Sequence, residues 1–132
     1  MNTTVKPFLM FEGQAEEAMN FYVATIPNSK VINVTRHGAG GPGVEGTIMF
    51  ATFSLGDLQV MCSDSPPGLH AFTFTPSTSL FVTCASEAEI TALSGALSEG
   101  GEFLMPLENY GFSQRFAWVK DRFGVSWQLN LE

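Results

Sequence analysis

Hydrophobic and polar positions change their period several times along the chain. Residues 5–11 (VKPFLMF) form a short apolar run that reads as a strand, and from 13 to 26 the positions Ala15, Ala18, Met19, Tyr22 and Ile26 recur at helical spacing. Pro27 and Asn28 end that helix. Strands are predicted at 30–36 and 47–55, and the Gly56-Asp57 pair between two alternating runs makes a tight turn, so that residues 58–62 fold back as a hairpin. The order is strand, helix, strand, strand, strand.

After a linker over 64–77 (DSPPGLHAFTFTPS) the same order begins again. SLFVTC at 79–84 reads as a strand, and the following helix opens at Ser86 with Glu89 three residues on, a capping-box spacing closed by Gly100-Gly101. Strands at about 102–107, 114–120 and 125–131 complete the set. At an offset of 72 the two helices align Glu17 with Glu89 and Ala24 with Ala96. The fold class predicted is α+β, two tandem βαβββ units at 1–63 and 78–132 forming one domain around a cleft. In each unit one helix covers one sheet face and the other face stays open. Facing the open sides together would bury them and enclose the cleft. In the last strand Val125, Trp127, Leu129 and Leu131 alternate against Ser126, Gln128 and Asn130, so the apolar side is expected under the helix and Gln128 near the middle of the cleft.

Composition narrows the function classes. Six basic residues against 13 acidic ones give a net charge of −7, and the scattered Lys and Arg make no patch for a run of phosphates or an anionic bilayer. No nucleic acid and no membrane partner is expected. Residues 1–11 lack the basic and apolar regions of a secretion signal, so the cytoplasm is the expected location. Only 14% of residues are charged although 45% are hydrophobic, against ~25% charged in ordinary domains; extensive burial, a cleft and a homodimer interface would account for the deficit. The two cysteines, Cys62 and Cys84, are too few for a disulfide framework or a thiolate zinc site and read as reduced core residues.

The segments PFLMFEGQAEEAMNFY, SLFVTC and RFAWVKDRFGVSWQLNL resemble the PhnB-like branch of the vicinal oxygen chelate superfamily, the group sharing a fold with glyoxalase I, bleomycin-resistance proteins and extradiol dioxygenases. The most specific piece is D-x-F-G-x-x-W at Asp121, Phe123, Gly124 and Trp127. The branch is often labelled as resembling a demethylubiquinone methyltransferase, but no glycine-rich strand-to-helix loop for a nucleotide-like cofactor is present, and no cofactor is expected. Metal-dependent members of the superfamily carry His, Gln or Glu ligands on the first, fourth, fifth and last strands. The resemblance puts those positions near Pro7, near Met61 with Gln59 and Ser63 beside it, near Ser77 or Ser79, and at Gln128. One amide is too few donors for a transition metal, so no metal is expected.

The remaining candidates each have a bland alternative. Arg115 would hold a carboxylate or phosphonate if it faces the cleft, or pair with Glu102 or Glu108 if it does not. His70 lies in the linker, where a loop over the cleft mouth would bring it to a ligand as acid or base, though a surface or dimer-contact histidine reads as well, and His37 is expected to be solvated. The loop GAGGPGVEG lacks the Lys-Ser/Thr and the helix of a phosphate cradle and reads as a flap. Tyr110 and Phe112 flank a glycine where two rings would close on a ligand or pack under the sheet edge. The favoured function is a metal-free module that sequesters or carries an apolar or acidic small molecule. An enzyme of the isomerase, lyase or dioxygenase kind and an interaction subunit are the alternatives.

Overall fold

In the computed structural model, which describes residues 2–132, the element order is β1 (Phe8–Phe11), α1 (Ala15–Thr25), β2 (Ser29–Arg36), β3 (Ile48–Leu55), β4 (Leu58–Asp64), β5 (Ser79–Thr83), α2 (Glu87–Ser98), β6 (Glu102–Glu108), β7 (Arg115–Lys120) and β8 (Ser126–Leu131). The chain divides into two compact units, residues 1–71 and 72–132, each a βαβββ repeat. The first strand is shorter than the expected 5–11, because Pro7 has no N–H to give the ladder and contributes only its carbonyl, which accepts from Met61 N. At the other end β4 runs two residues past the expected Cys62.

The sheet of the first unit has the order β1-β4-β3-β2, with β1 parallel to β4 and the other pairs antiparallel; the second unit repeats this as β5-β8-β7-β6. Gly56 in the first hairpin turn has φ +59, the left-handed region in which a side chain is disfavoured. The register settles which residues share a face. Val60 and Cys62 line up with Phe53 and Ala51, all fully buried against α1, whose Ala15, Ala18, Met19 and Tyr22 complete that core. In the second unit Trp127 and Leu129 line up with Val119 and Ala117 beneath Ile90, Leu93 and Leu97 of α2. Burying an aliphatic or aromatic side chain is worth about 1.5–3 kcal/mol, so these layers hold each unit together.

A buried aspartate completes each unit. Asp64, 7% exposed, accepts from Gly13 N and Ala15 N through Oδ1 and from Ile48 N through Oδ2. It thereby caps α1, whose own N-cap residue, Gln14, makes no side-chain bond. α2 is capped locally as its sequence predicts, with Ser86 Oγ accepting from Glu89 N and Glu89 reaching back to Ala85 N. Asp121 accepts from Phe123 N and Val125 N through Oδ1 and from the Trp127 indole through Oδ2. The D-x-F-G-x-x-W pattern is therefore a turn device: it shapes the connection from β7 to β8, with Gly124 at φ +94, and anchors Trp127 in the core. No helix among the described residues is long and apolar enough to cross a membrane.

Candidate ligand-binding face of the second sheet

The face of the second sheet turned away from α2 is laid out in three rows across β5, β8, β7 and β6. At one end are Ser79, Ser126, Lys120 and Glu102; in the middle Phe81, Gln128, Trp118 and Met105; at the other end Thr83, Asn130, Phe116 and Glu108. This places Gln128 in the central row, as the alternation of the last strand predicts, between two aromatic side chains. Phe81 is 58% exposed, so an apolar surface is open to solvent beside the amide.

The two serines of the first row and the amide and indole of the middle row bond to one another. The Trp118 indole donates to Ser126 Oγ at 2.8 Å, Ser126 and Ser79 hydroxyls meet at 2.6 Å, and Gln128 Nε2 donates to Ser79 Oγ at 3.3 Å. These bonds hold Gln128 and Trp118 in fixed positions. At the far end the rings of Tyr110, Phe112 and Phe116 pack together: Tyr110 stacks on Phe112 with an interplanar angle of 13°, and Phe112 meets Phe116 edge-on at 5.1 Å. The Tyr110 hydroxyl donates to Pro106 O, and burial together with the Glu108 carboxylate raises its pKa, which keeps it a donor. Gly111, at φ +98 between the two rings, allows the tight reversal that brings them side by side.

Arg115 is on the opposite side. Its register partner is Leu131, which places it with Ala117 and Val119 on the helix-covered face, where it pairs with Glu87 of α2 at 3.0 Å and donates to Leu107 O. The expected anchor for an acidic ligand is thus separated by the thickness of the sheet from Gln128, and neither Glu102 nor Glu108 is its ionic partner. Lys120, in register with Glu102, is the one Lys or Arg in those three rows.

The first sheet presents a second helix-free face. Phe8, Met61, Thr52 and Asn33 form one row and Gln59, Ser54 and Lys30 another, with Phe8 and Phe50 half-exposed and meeting edge-on. The strand position assigned to Pro7 belongs to Phe8, since Phe8 is the residue in register with Met61. His70 is half-buried at the end of this unit and lies in neither row. His37 is also half-buried instead of solvated: its ring lies against Gly43, where a Cβ would come within 2.4 Å. The glycine-rich loop is tied at its base by His37 N to Thr47 O and by the Arg36 pair with Glu16, which lowers the Glu16 pKa through its hydrogen bonds.

Neither a transition metal nor a nucleotide-like methyl donor fits these residues. By the same register the four strand positions that would hold a metal carry Phe8, Met61, Phe81 in place of the expected Ser77 or Ser79, and Gln128, and no group of three or more His, Cys, Asp or Glu gathers among the described residues. This donor set does not fit a transition metal. A nucleotide-like methyl donor fits no better at the strand-to-helix turns. The N-terminus of α1 already holds the Asp64 carboxylate, and that of α2 holds Ser86 and Glu89. Cysteine chemistry is disfavoured as well. Burial and the nearby Asp64 push the Cys62 thiol up to about 12, and burial with Glu89 pushes Cys84 to about 11.

These features define a class. Solved structures of the glyoxalase/bleomycin resistance/dioxygenase superfamily share the fold, among them a domain from Frankia sp. with a TM-score of 0.66 at 17% identity, covering 99% of this chain and 92% of that one. Within that class the profile of the 3-demethylubiquinone-9 3-methyltransferase family matches residues 3–130, and the chain belongs to this PhnB-like family. The PhnB protein of Bacillus cereus, itself assigned by proposal as such a methyltransferase, is 48% identical with a TM-score of 0.94 over 98% of this chain and 100% of that one. A protein from Pseudomonas aeruginosa is 28% identical with a TM-score of 0.86, over 99% and 98% of the two chains. No protein of curated function matches.

Proposed function

We propose that this PhnB-like protein binds a small apolar molecule on the helix-free face of its second sheet, and acts as a carrier or sequestering module in the cytoplasm. The observation that carries this reading is the central row of that face, where Gln128 is held in place between Phe81 and Trp118. A fixed amide among exposed aromatic surface is the pattern of a site that orients an apolar ligand through few polar contacts. Because Arg115 lies on the other face, bound to Glu87, an acidic ligand loses its proposed anchor. The half-exposed Phe8 and Phe50 on the first sheet support a homodimer that covers that surface.

The test is native mass spectrometry of the purified protein combined with a thermal-shift screen against metals, carboxylates, phosphonates and uncharged aromatics. Uncharged aromatics should raise the melting temperature, and Gln128→Ala should weaken that response. A stoichiometric transition metal, or stabilisation by carboxylates alone, would overturn the reading.

A further inference from the structure

On the helix-free face of the second sheet Asn130, in the last row, carries the one buried side-chain polar atom of the three rows that lacks a hydrogen-bond partner. Asn130 Oδ1 is buried and has no hydrogen-bond partner, whereas Ser79, Ser126, Gln128 and Trp118 form a closed set of bonds. A buried acceptor left without a donor is unfavourable, and a ligand that brings the donor removes that cost. The position of the orphan is informative. Asn130 is in register with Phe116, and residues so paired present their side chains side by side on one face. Phe116 is in turn the base of the Tyr110–Phe112–Phe116 cluster, whose outermost ring, Phe112, is 63% exposed. An unmatched acceptor, itself shielded from solvent, therefore neighbours Phe116, the buried base of a cluster whose outer ring, Phe112, faces solvent.

The two features call for complementary parts of one molecule. An exposed ring offers its face to a planar aromatic system, and the carboxamide oxygen asks for an N–H or O–H in the plane of that system. No arginine or lysine is in the row of Asn130, and Glu108 closes its far end, so a negative charge on the ligand would be unfavourable there. We infer that the end of the sheet marked by Asn130, Phe112 and Phe116 is a subsite for an uncharged planar aromatic compound carrying an N–H or O–H donor. Phe112 covers the face of the ligand, and Asn130 Oδ1 accepts from its edge. This rests on the ligand-binding reading of the same face and narrows the ligand class within it.

The experiment uses two probes of nearly the same shape, indole, which has an N–H, and benzothiophene, which has sulfur in its place. Each is titrated into the full-length 15N-labelled protein and followed by NMR, including the side-chain amides. Indole is expected to bind about fivefold or more tighter than benzothiophene, the size of one hydrogen bond, and to shift the Asn130 amide pair. In Asn130→Leu the two probes should become equal through loss of indole affinity, with benzothiophene unchanged. Phe112→Ala, an exposed loop substitution that leaves the core intact, should weaken both probes by similar factors. Equal affinities in the wild-type protein, with shifts still on this face, would overturn the donor inference and leave the binding reading standing. No shift on this face from either probe would overturn both.

Discussion

The two repeats share one topology and each contains a buried, hydrogen-bonded aspartate, yet the two aspartates are wired differently. Asp64 collects its donors from Gly13, Ala15 and Ile48, residues 51, 49 and 16 positions away. Asp121 accepts from Phe123 N, Val125 N and the Trp127 indole, residues two, four and six positions away. The first repeat thus ties its helix to its sheet by a long-range polar clamp and leaves α1 without a local cap. The second makes its turn and its helix cap locally, and joins helix to sheet through Trp127 and its apolar neighbours. The same fold can therefore be closed by a long-range polar contact or by local devices plus packing.

The largest test of that contrast is Asp64→Ala, which leaves three backbone donors unpaired and should cost about 3 kcal/mol in chemical denaturation. Hydrogen exchange should accelerate at Ala15 and Ile48 together. In Asp121→Ala a loss of similar size should be accompanied by faster exchange only around 123–127. Exchange confined to one neighbourhood in both variants would remove the distinction.

A second test concerns alkaline pH. The buried thiols have folded-state pKa values raised to about 12 and about 11 from an ordinary value of 9.0. The folded state therefore holds these protons more tightly than the unfolded chain, a contribution fully present below pH 9 and lost as pH rises toward 12. Denaturation midpoints should fall over that window, and Cys62→Ala should flatten the fall even though it is itself destabilising. Smaller again is the cap contrast: Ser86→Ala should cost about 1 kcal/mol, while Gln14→Ala should cost almost nothing. A loss smaller than that of Ser86→Ala is expected from Arg115→Ala, whose partly exposed pair with Glu87 is worth about 0.5 kcal/mol. Affinity for aromatic ligands should stay within twofold, and a loss beyond that would return Arg115 to the binding site.

Much of this was legible in the residues. The alternation over 125–131 is apolar on one side and polar on the other, so it assigns Trp127 to the core and Gln128 to the free face without further information, and the register confirms both. The same logic fails on RFAWV. Phe116 and Trp118 are as apolar as Ala117 and Val119, so period two does not reveal which side carries Arg115 until the pairing with Leu131 is known. Asp64 gave no sequence signal, since two of its partners lie about fifty residues away and no local capping pattern marks it. The Asp121 device was visible as a motif, but its role as turn and Trp anchor needed the hydrogen bonds.

The two tryptophans of the chain lie on opposite faces of the second sheet and supply a direct test of the central claim. The Trp118 indole N–H points to Ser126 on the free face, and that of Trp127 to Asp121 in the core. In a 15N-labelled sample titrated with the tightest-binding aromatic compound of the screen, the Trp118 indole resonance should shift with saturation while that of Trp127 stays in place. Saturable movement of Trp127 with Trp118 unchanged, or movement of neither, would contradict it.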